Sequence, residues 1–215
     1  MAGTEKPHSK KKPQIHDYPL WKLEEIAQNI LSGAEDCIHG YWVDIERLLE
    51  TKYEIIIDIH YNLSTGSFGQ GIGVMAYMLI QGRRLFVDDK LIDARFGKRY
   101  RFTLAEELAH FIIHKDIYKD CKNLDERIEK DSLLTGQEQW FLETNAKALA
   151  SAILMPKTMI ENRIEQLFST MGNDPKYTQS IINILAQDFD VNPQAVRRRL
   201  INLGYHKRSN LKLKE

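Results

Sequence analysis

Within five consecutive positions the chain carries Glu106, Glu107 and His110, residue types and a spacing that suit a metal-dependent hydrolytic helix. In an H-E-x-x-H helix two imidazoles one turn apart hold one divalent ion, and the glutamate beside the first polarises the ion's water. Here Glu107 fills the general-base position and His110 the second ligand position, whereas the first ligand position holds a carboxylate, Glu106. A helix turns about 100° per residue, so Glu106, His110, Thr103, His114 and Glu107 form one stripe, with Leu104, Leu108, Phe111 and Ile112 opposite. An amphipathic helix with a wetted polar face satisfies the same pattern. A second group must therefore join the first for the chemistry to be possible.

Glu143 is the candidate. The spacing predicts a helix from about Glu138 to Leu154, stopped by Pro156. On it Glu143 shares a face with Ala146, Ala150 and Leu154, a small-residue face suited to close packing. A lone carboxylate there is costly unless it is paired. A metal shared with His110 would satisfy it, and so would a salt bridge. His110 and His114 are also one turn apart, which makes His114 an alternative ligand, although Phe111 then stands at the base position.

Several elements must position these groups. Leu20, Leu23, Ile26 and Ile30 predict a first helix over 20–31, and a second begins near Val43. Residues 53–59 form a β-branched strand-like run, and strands over 71–80 and 84–87 flank a turn at Gln81-Gly82-Arg83. The glycines at 66, 69, 71 and 73 read as a flexible loop, since no Gly-Lys-Ser/Thr comes after them. Thr103 is placed to cap the helix carrying Glu106 and His110. Residues 115–137, polar and of mixed charge, read as an exposed connection.

Composition narrows the class. The chain has 215 residues, 43% hydrophobic and 28% charged, with a formal net charge of +0, as in a soluble globular protein with no global field toward nucleic acid or membrane. No apolar run is long enough to span a bilayer, and the start, MAGTEKPHSKKKPQ, lacks a signal-peptide core. Cys37 and Cys121 form no C-x-x-C pair or disulfide framework, so a cytoplasmic location is expected.

Three segments together resemble the ImmA/IrrE family of zinc metallo-endopeptidases. The first is Arg101-Phe102-Thr103-Leu104-Ala105-Glu106-Glu107-Leu108-Ala109-His110, running on to His114; the family's version reads R-F-T-L-A-H-E-L-G-H. The second, Glu143 through Ala146 and Ala150 to Pro156, is similar to E-x-x-A-N-x-F-A-x-x-L-L-M-P. The third, Leu185-Ala186-Gln187-Asp188-Phe189-Asp190-Val191 and the helix after it, is similar to the family's trailing L-A-x-x-F-x-V segment. The resemblance implies an α+β, zincin-like metallopeptidase domain with a small β-sheet and an active-site helix, followed by a helical, helix-turn-helix-like module. The expected limits are a disordered basic tail over 1–17, the peptidase domain over 18–158, the helical module over 159–206 and a basic tail over 207–215. His110 and Glu143 would be zinc ligands and Glu107 the general base, and Glu106 stands where the family has its first zinc histidine.

Glu106 can itself ligate a metal. One His and two Glu leave a divalent site formally neutral, which activates water less and favours harder ions such as Mn2+ beside Zn2+. An empty, degenerate site is the other outcome. Tyr100, Arg101 and His60 are candidates for stabilising an oxyanion. The resemblance implies a protein substrate such as a helix-turn-helix repressor, whose cleavage would switch on phage, mobile-element or stress genes. The alternative is a pseudo-peptidase that binds a repressor or DNA. Residues 178–204 read as two helices around Asn192-Pro193, with Arg197 and Arg198 as possible nucleic-acid contacts in a basic C-terminal stretch that also holds Arg199.

Overall fold

Apolar residues at 23, 27, 30 and 31 fall on one face of helix α1, Leu20–Leu31, and all four are buried. A computed structural model describes residues 15–61, 63, 74–93 and 97–213. After α1, strands β1 (Ile38–His39) and β2 (Trp42–Val43) form a small antiparallel hairpin around Gly40, whose φ of 62° suits glycine. Asp44 then accepts a hydrogen bond from the Arg47 amide and caps α2, Ile45–Arg47, which widens into a π turn over Leu48–Lys52. The second helix thus starts just after Val43, which belongs to β2.

Strands β3 (Ile56–His60), β4 (Ala76–Leu79) and β5 (Arg84–Asp88) make a mixed sheet in the order β3-β5-β4. β4 and β5 are the antiparallel hairpin the sequence predicts, while β3 runs parallel to β5. Central β5 buries Leu85 and Val87 completely. The Gly-rich stretch over 66–73, including the start of the strand expected from 71, lies outside the described residues.

The long helix α3, Gly97–Ile113, leads into α4 (Lys115–Tyr118), α5 (Leu124–Ser132), α6 (Gly136–Leu154), α7 (Lys157–Met171), α8 (Thr178–Asp188) and α9 (Pro193–Asn202), with a short α10 (Tyr205–Arg208) after them. Helix α3 begins well before Thr103, which is an interior residue rather than a cap. Helix α6 has the stronger start: the Thr135 hydroxyl accepts from the Glu138 amide, and Glu138 reaches back to the Thr135 amide.

Residues 115–137 are exposed at most of their charged positions but are more than a connection: they hold α4 and α5, and Ile117, Tyr118 and Cys121 join Leu134 and Leu142 in a second apolar cluster. Residues at the edge of the expected N-terminal tail are held, because Ile15 packs on that cluster and the His16 carbonyl accepts from Asn145 at 2.9 Å. Leu211, expected in a frayed basic tail, is buried in the main core. The main core draws its residues from Leu23 to Leu211. Among the described residues, no helix is long and apolar enough to cross a membrane, and both cysteines are free and buried.

Candidate functional site

Helices α3 and α6 make the most extensive helix–helix packing among the described residues. Both carry fully buried alanines, Ala105 and Ala109 on α3 and Ala146 and Ala150 on α6, whose small side chains permit close approach. Across this contact His110 Nε2 lies 3.7 Å from Glu143 Oε1. The juxtaposition that the spacing requires is therefore present. Glu143, expected on a small-residue face, sits at its margin, and its side chain is half exposed to the cleft rather than sealed in the packing.

Two cations of the chain share this site. Lys147, one turn beyond Glu143 on α6, places Nζ 3.1 Å from Glu143 Oε2 and 3.6 Å from Glu106 Oε1. Arg127 on α5 donates from Nη1 to Glu107 Oε2 at 3.0 Å, and both side chains are only 10% exposed. The Arg127 guanidinium also lies 4.6 Å over the Tyr118 ring, and the Tyr118 hydroxyl donates to Asp131 Oδ1 at 2.6 Å. On the other edge of the His110 ring, Nδ1 is 3.1 Å from His114 Nδ1. His114 thus touches the back of His110, away from Glu143, and its own Nε2 is buried without a partner among the described residues.

Burial dominates the titration of these groups. It pushes Glu106 up to about 7, with Glu143 and Glu107 adding to the rise and Lys147 opposing it. Burial also raises Glu107, and Arg127 limits that rise. His110 is held well below its ordinary range, first by burial and then by Arg127 and His114. His114 is lowered to about 4 by burial and by Arg127. Lys147 loses solvation, but Glu106 and Glu143 more than compensate and keep it charged.

The His114 shift gives a pH prediction. Its folded pKa, about 4, is below the ordinary value of 6.5. The neutral ring therefore supports the fold fully above pH 6.5, and that support is lost as pH falls toward 4, by about 3 kcal/mol in all. Glu106 acts oppositely: its folded pKa is raised, so its ionisation costs stability as pH rises from about 4.5 to about 7. Thermal melts between pH 7 and 4 should fall less steeply for His114→Asn than for the parent. Equal slopes would show that the ring is not kept neutral by the fold.

A cleft of about 1070 Å3 opens over the site. Met75, Ala76 and Tyr77 line it from the β4 side, Glu106, Glu107 and His110 from α3, and Arg197 and Arg198 from α9. Arg197 donates to Gln179 Oε1 at 2.8 Å. Arg199 turns the other way: it is 1% exposed and bonded to Glu24 and to the Met155 carbonyl, so it presents nothing to phosphate. Of the oxyanion candidates Tyr100, Arg101 and His60, none lines the cleft. Arg101 instead binds Asp190 at 2.5 Å and the Val43 carbonyl at 2.7 Å, a latch between α3, β2 and the α8–α9 turn. Asn192 stands at the α9 N-cap position with Pro193 after it but makes no side-chain cap bond.

The donor set can be tested against a divalent ion. Zinc binds tetrahedrally at roughly 2 Å per nitrogen or oxygen ligand, so two ligand atoms of one ion lie about 3.3 Å apart. His110 Nε2 and Glu143 Oε1 come near that spacing. The rest of the set does not: Glu106 and the second oxygen of Glu143 face the Lys147 ammonium, and Glu107 faces Arg127. Among the described residues, no three His, Cys, Asp or Glu side chains converge as a metal-holding group. As arranged, the residues do not fit a bound divalent metal.

Sequence reasoning missed both cations. Lys147 was accessible to it, since it lies four residues from Glu143 and helical spacing puts the two together. Arg127 carried no such signal, because its partner is 20 residues away on another helix.

A small mixed sheet beside a helix bearing E-x-x-H, crossed by a second helix bearing a glutamate, defines a zincin-like peptidase domain. Residues 68–201 match the family described as IrrE N-terminal-like domain, Peptidase M78, and the chain belongs to that family. The match takes in α3, α6, α8 and most of α9. Among solved structures, the fold is similar to a Mycobacterium tuberculosis transcriptional regulator, with 18% identity and a TM-score of 0.55 over 84% of this chain and 46% of that one. The chain thus spans about half the length of that regulator. None of the curated proteins matches the sequence.

Proposed function

We propose that this chain is a regulatory protein of IrrE type that takes a polypeptide segment of a partner into the cleft between β4 and α3. The observation that carries this reading is the cleft itself. Strand β4, at the edge of the sheet among the described residues, borders it, and a family-type helix with Glu107 and His110 forms its floor. An extended segment can add to such an edge through main-chain hydrogen bonds. A helix-turn-helix repressor is the partner class that the family reading favours, and a cytoplasmic setting goes with it.

The fate of a captured segment depends on the three glutamates. Each already has a cation of the chain beside it, which favours binding without hydrolysis. Metal-dependent endopeptidase activity is the second reading, with Glu107 as general base and Zn2+ or Mn2+ held by His110, Glu143 and Glu106. The approach of His110 to Glu143 favours it, as does the His114 ring on the back of His110, where metal-binding histidines often have an orienting partner. A role on DNA is less favoured, because Arg199 is buried and Arg197 and Arg198 line the cleft.

The discriminating experiment incubates the purified chain with a helix-turn-helix repressor from its own genome, with Zn2+ and with a chelator. Binding is read by calorimetry and cleavage by mass spectrometry. The expected result is a complex and intact repressor in both conditions. Fragments that appear with Zn2+ and vanish in Glu107→Gln would establish the hydrolytic reading. Absence of any complex would remove the capture reading for that partner.

A further inference from the structure

We propose that Lys147 and Arg127 are the resident cations of this site, supplying from the chain itself the positive charge that a divalent ion would bring. The inference rests on the family placement and deepens the capture reading. It makes capture independent of metal.

Charge balance is the first argument. Glu106, Glu107 and Glu143 all line the cleft, and Glu106 and Glu107 are largely buried, so their charges call for compensation. A divalent ion would contribute two positive charges. One ammonium and one guanidinium contribute the same two, and the geometry delivers them to the three carboxylates that need them.

Position is the second argument. The Lys147 ammonium reaches Glu106 on α3 and Glu143 on its own helix α6, so it bridges the two helices that a shared metal would bridge. Glu106 and Lys147, distant in sequence, meet in space at 3.6 Å as an anion and a cation. Arg127 completes the arrangement by engaging Glu107, the group a hydrolase needs free to receive a proton.

A metal-binding measurement on the full chain tests this. Protein produced in zinc-supplemented medium is analysed for metal by mass spectrometry, and Zn2+ and Mn2+ affinities are read by competition with a chromophoric chelator. The parent is expected to hold far less than one metal per chain, and its melting temperature should not respond to Zn2+ or chelator. Lys147→Gln, which removes the competing cation, should bind Zn2+ at least about tenfold more tightly than the parent. Glu106→His with Lys147→Asn should bind one Zn2+ per chain. One Zn2+ per parent chain, lost in His110→Ala, would overturn the proposal. So would unchanged Zn2+ affinity in folded Lys147→Gln. If the double variant fails to fold, the parent and Lys147→Gln still decide the matter. Failure of the capture reading looks different: the parent would be metal-free and yet bind no repressor. Repressor binding that requires Zn2+ would refute the resident cations while sparing capture.

Discussion

Replacing Arg199 by leucine is expected to destabilise the protein by about 3–5 kcal/mol, the usual cost of removing one member of a buried ion pair. The Arg199 side chain is 1% exposed. Its guanidinium bonds both oxygens of Glu24, and Nε donates to the Met155 carbonyl at 3.0 Å. Through these bonds α9 is tied to α1 and to the end of α6, elements far apart in the chain. Leucine would leave the Glu24 carboxylate and the Met155 carbonyl without their donor in a poorly hydrated place. For a chain of this size each kcal/mol shifts the midpoint by roughly 2–4 °C, so thermal melts should show a fall of about 10 °C. Adding Glu24→Leu should recover much of the loss, because the pair would be replaced rather than broken. A single substitution costing under about 1 kcal/mol would show that these bonds do not hold the helices together.

The same residue illustrates what the sequence could and could not convey. Arg199 sits beside Arg197 and Arg198, and a run of basic residues reads as a solvated or phosphate-facing patch. Helical geometry separates them: Arg199 points into the core, while the other two border the cleft. Helix α1 was legible because its apolar period is intact, and the end of α6 because Pro156 bars continuation. The start of α3 was not, since Gly97–Phe102 shows no apolar period. Its polar side chains are used at long range instead: Lys98 donates to the Ala186 and Val191 carbonyls, and Arg101 holds Asp190. Residues 115–137 misled for a related reason. Their exposed charges mask the few apolar residues that pack inward, and Lys130 turns back to donate to the Ile117 carbonyl at 2.7 Å. The parallel pairing of β3 with β5 left no local trace, because register between distant strands is set by the core they share. At the site, the meeting of His110 and Glu143 came from spacing within two helices, whereas the Arg127–Glu107 pair depended on where α5 docks.

That pair carries the second large effect. Glu107→Gln is expected to lower stability by about 3–5 kcal/mol, because it strips Arg127 of its carboxylate while the guanidinium stays buried. The sign matters more than the size. A general base held free in an active site is a strained, poorly paired group, and neutralising it commonly leaves stability unchanged or improves it. A glutamate that anchors a buried arginine behaves in the opposite way. Glu107→Gln melts therefore separate the two roles without any knowledge of the substrate. Adding Arg127→Met to Glu107→Gln should restore most of the midpoint, since an apolar side chain of similar length then fills the space beside Tyr118 and no charge is stranded. Were Glu107→Gln instead to stabilise the fold, with Arg127→Met alone costing little, the pair would not be a structural unit. Glu107 would then be free to serve as the base of a hydrolytic site.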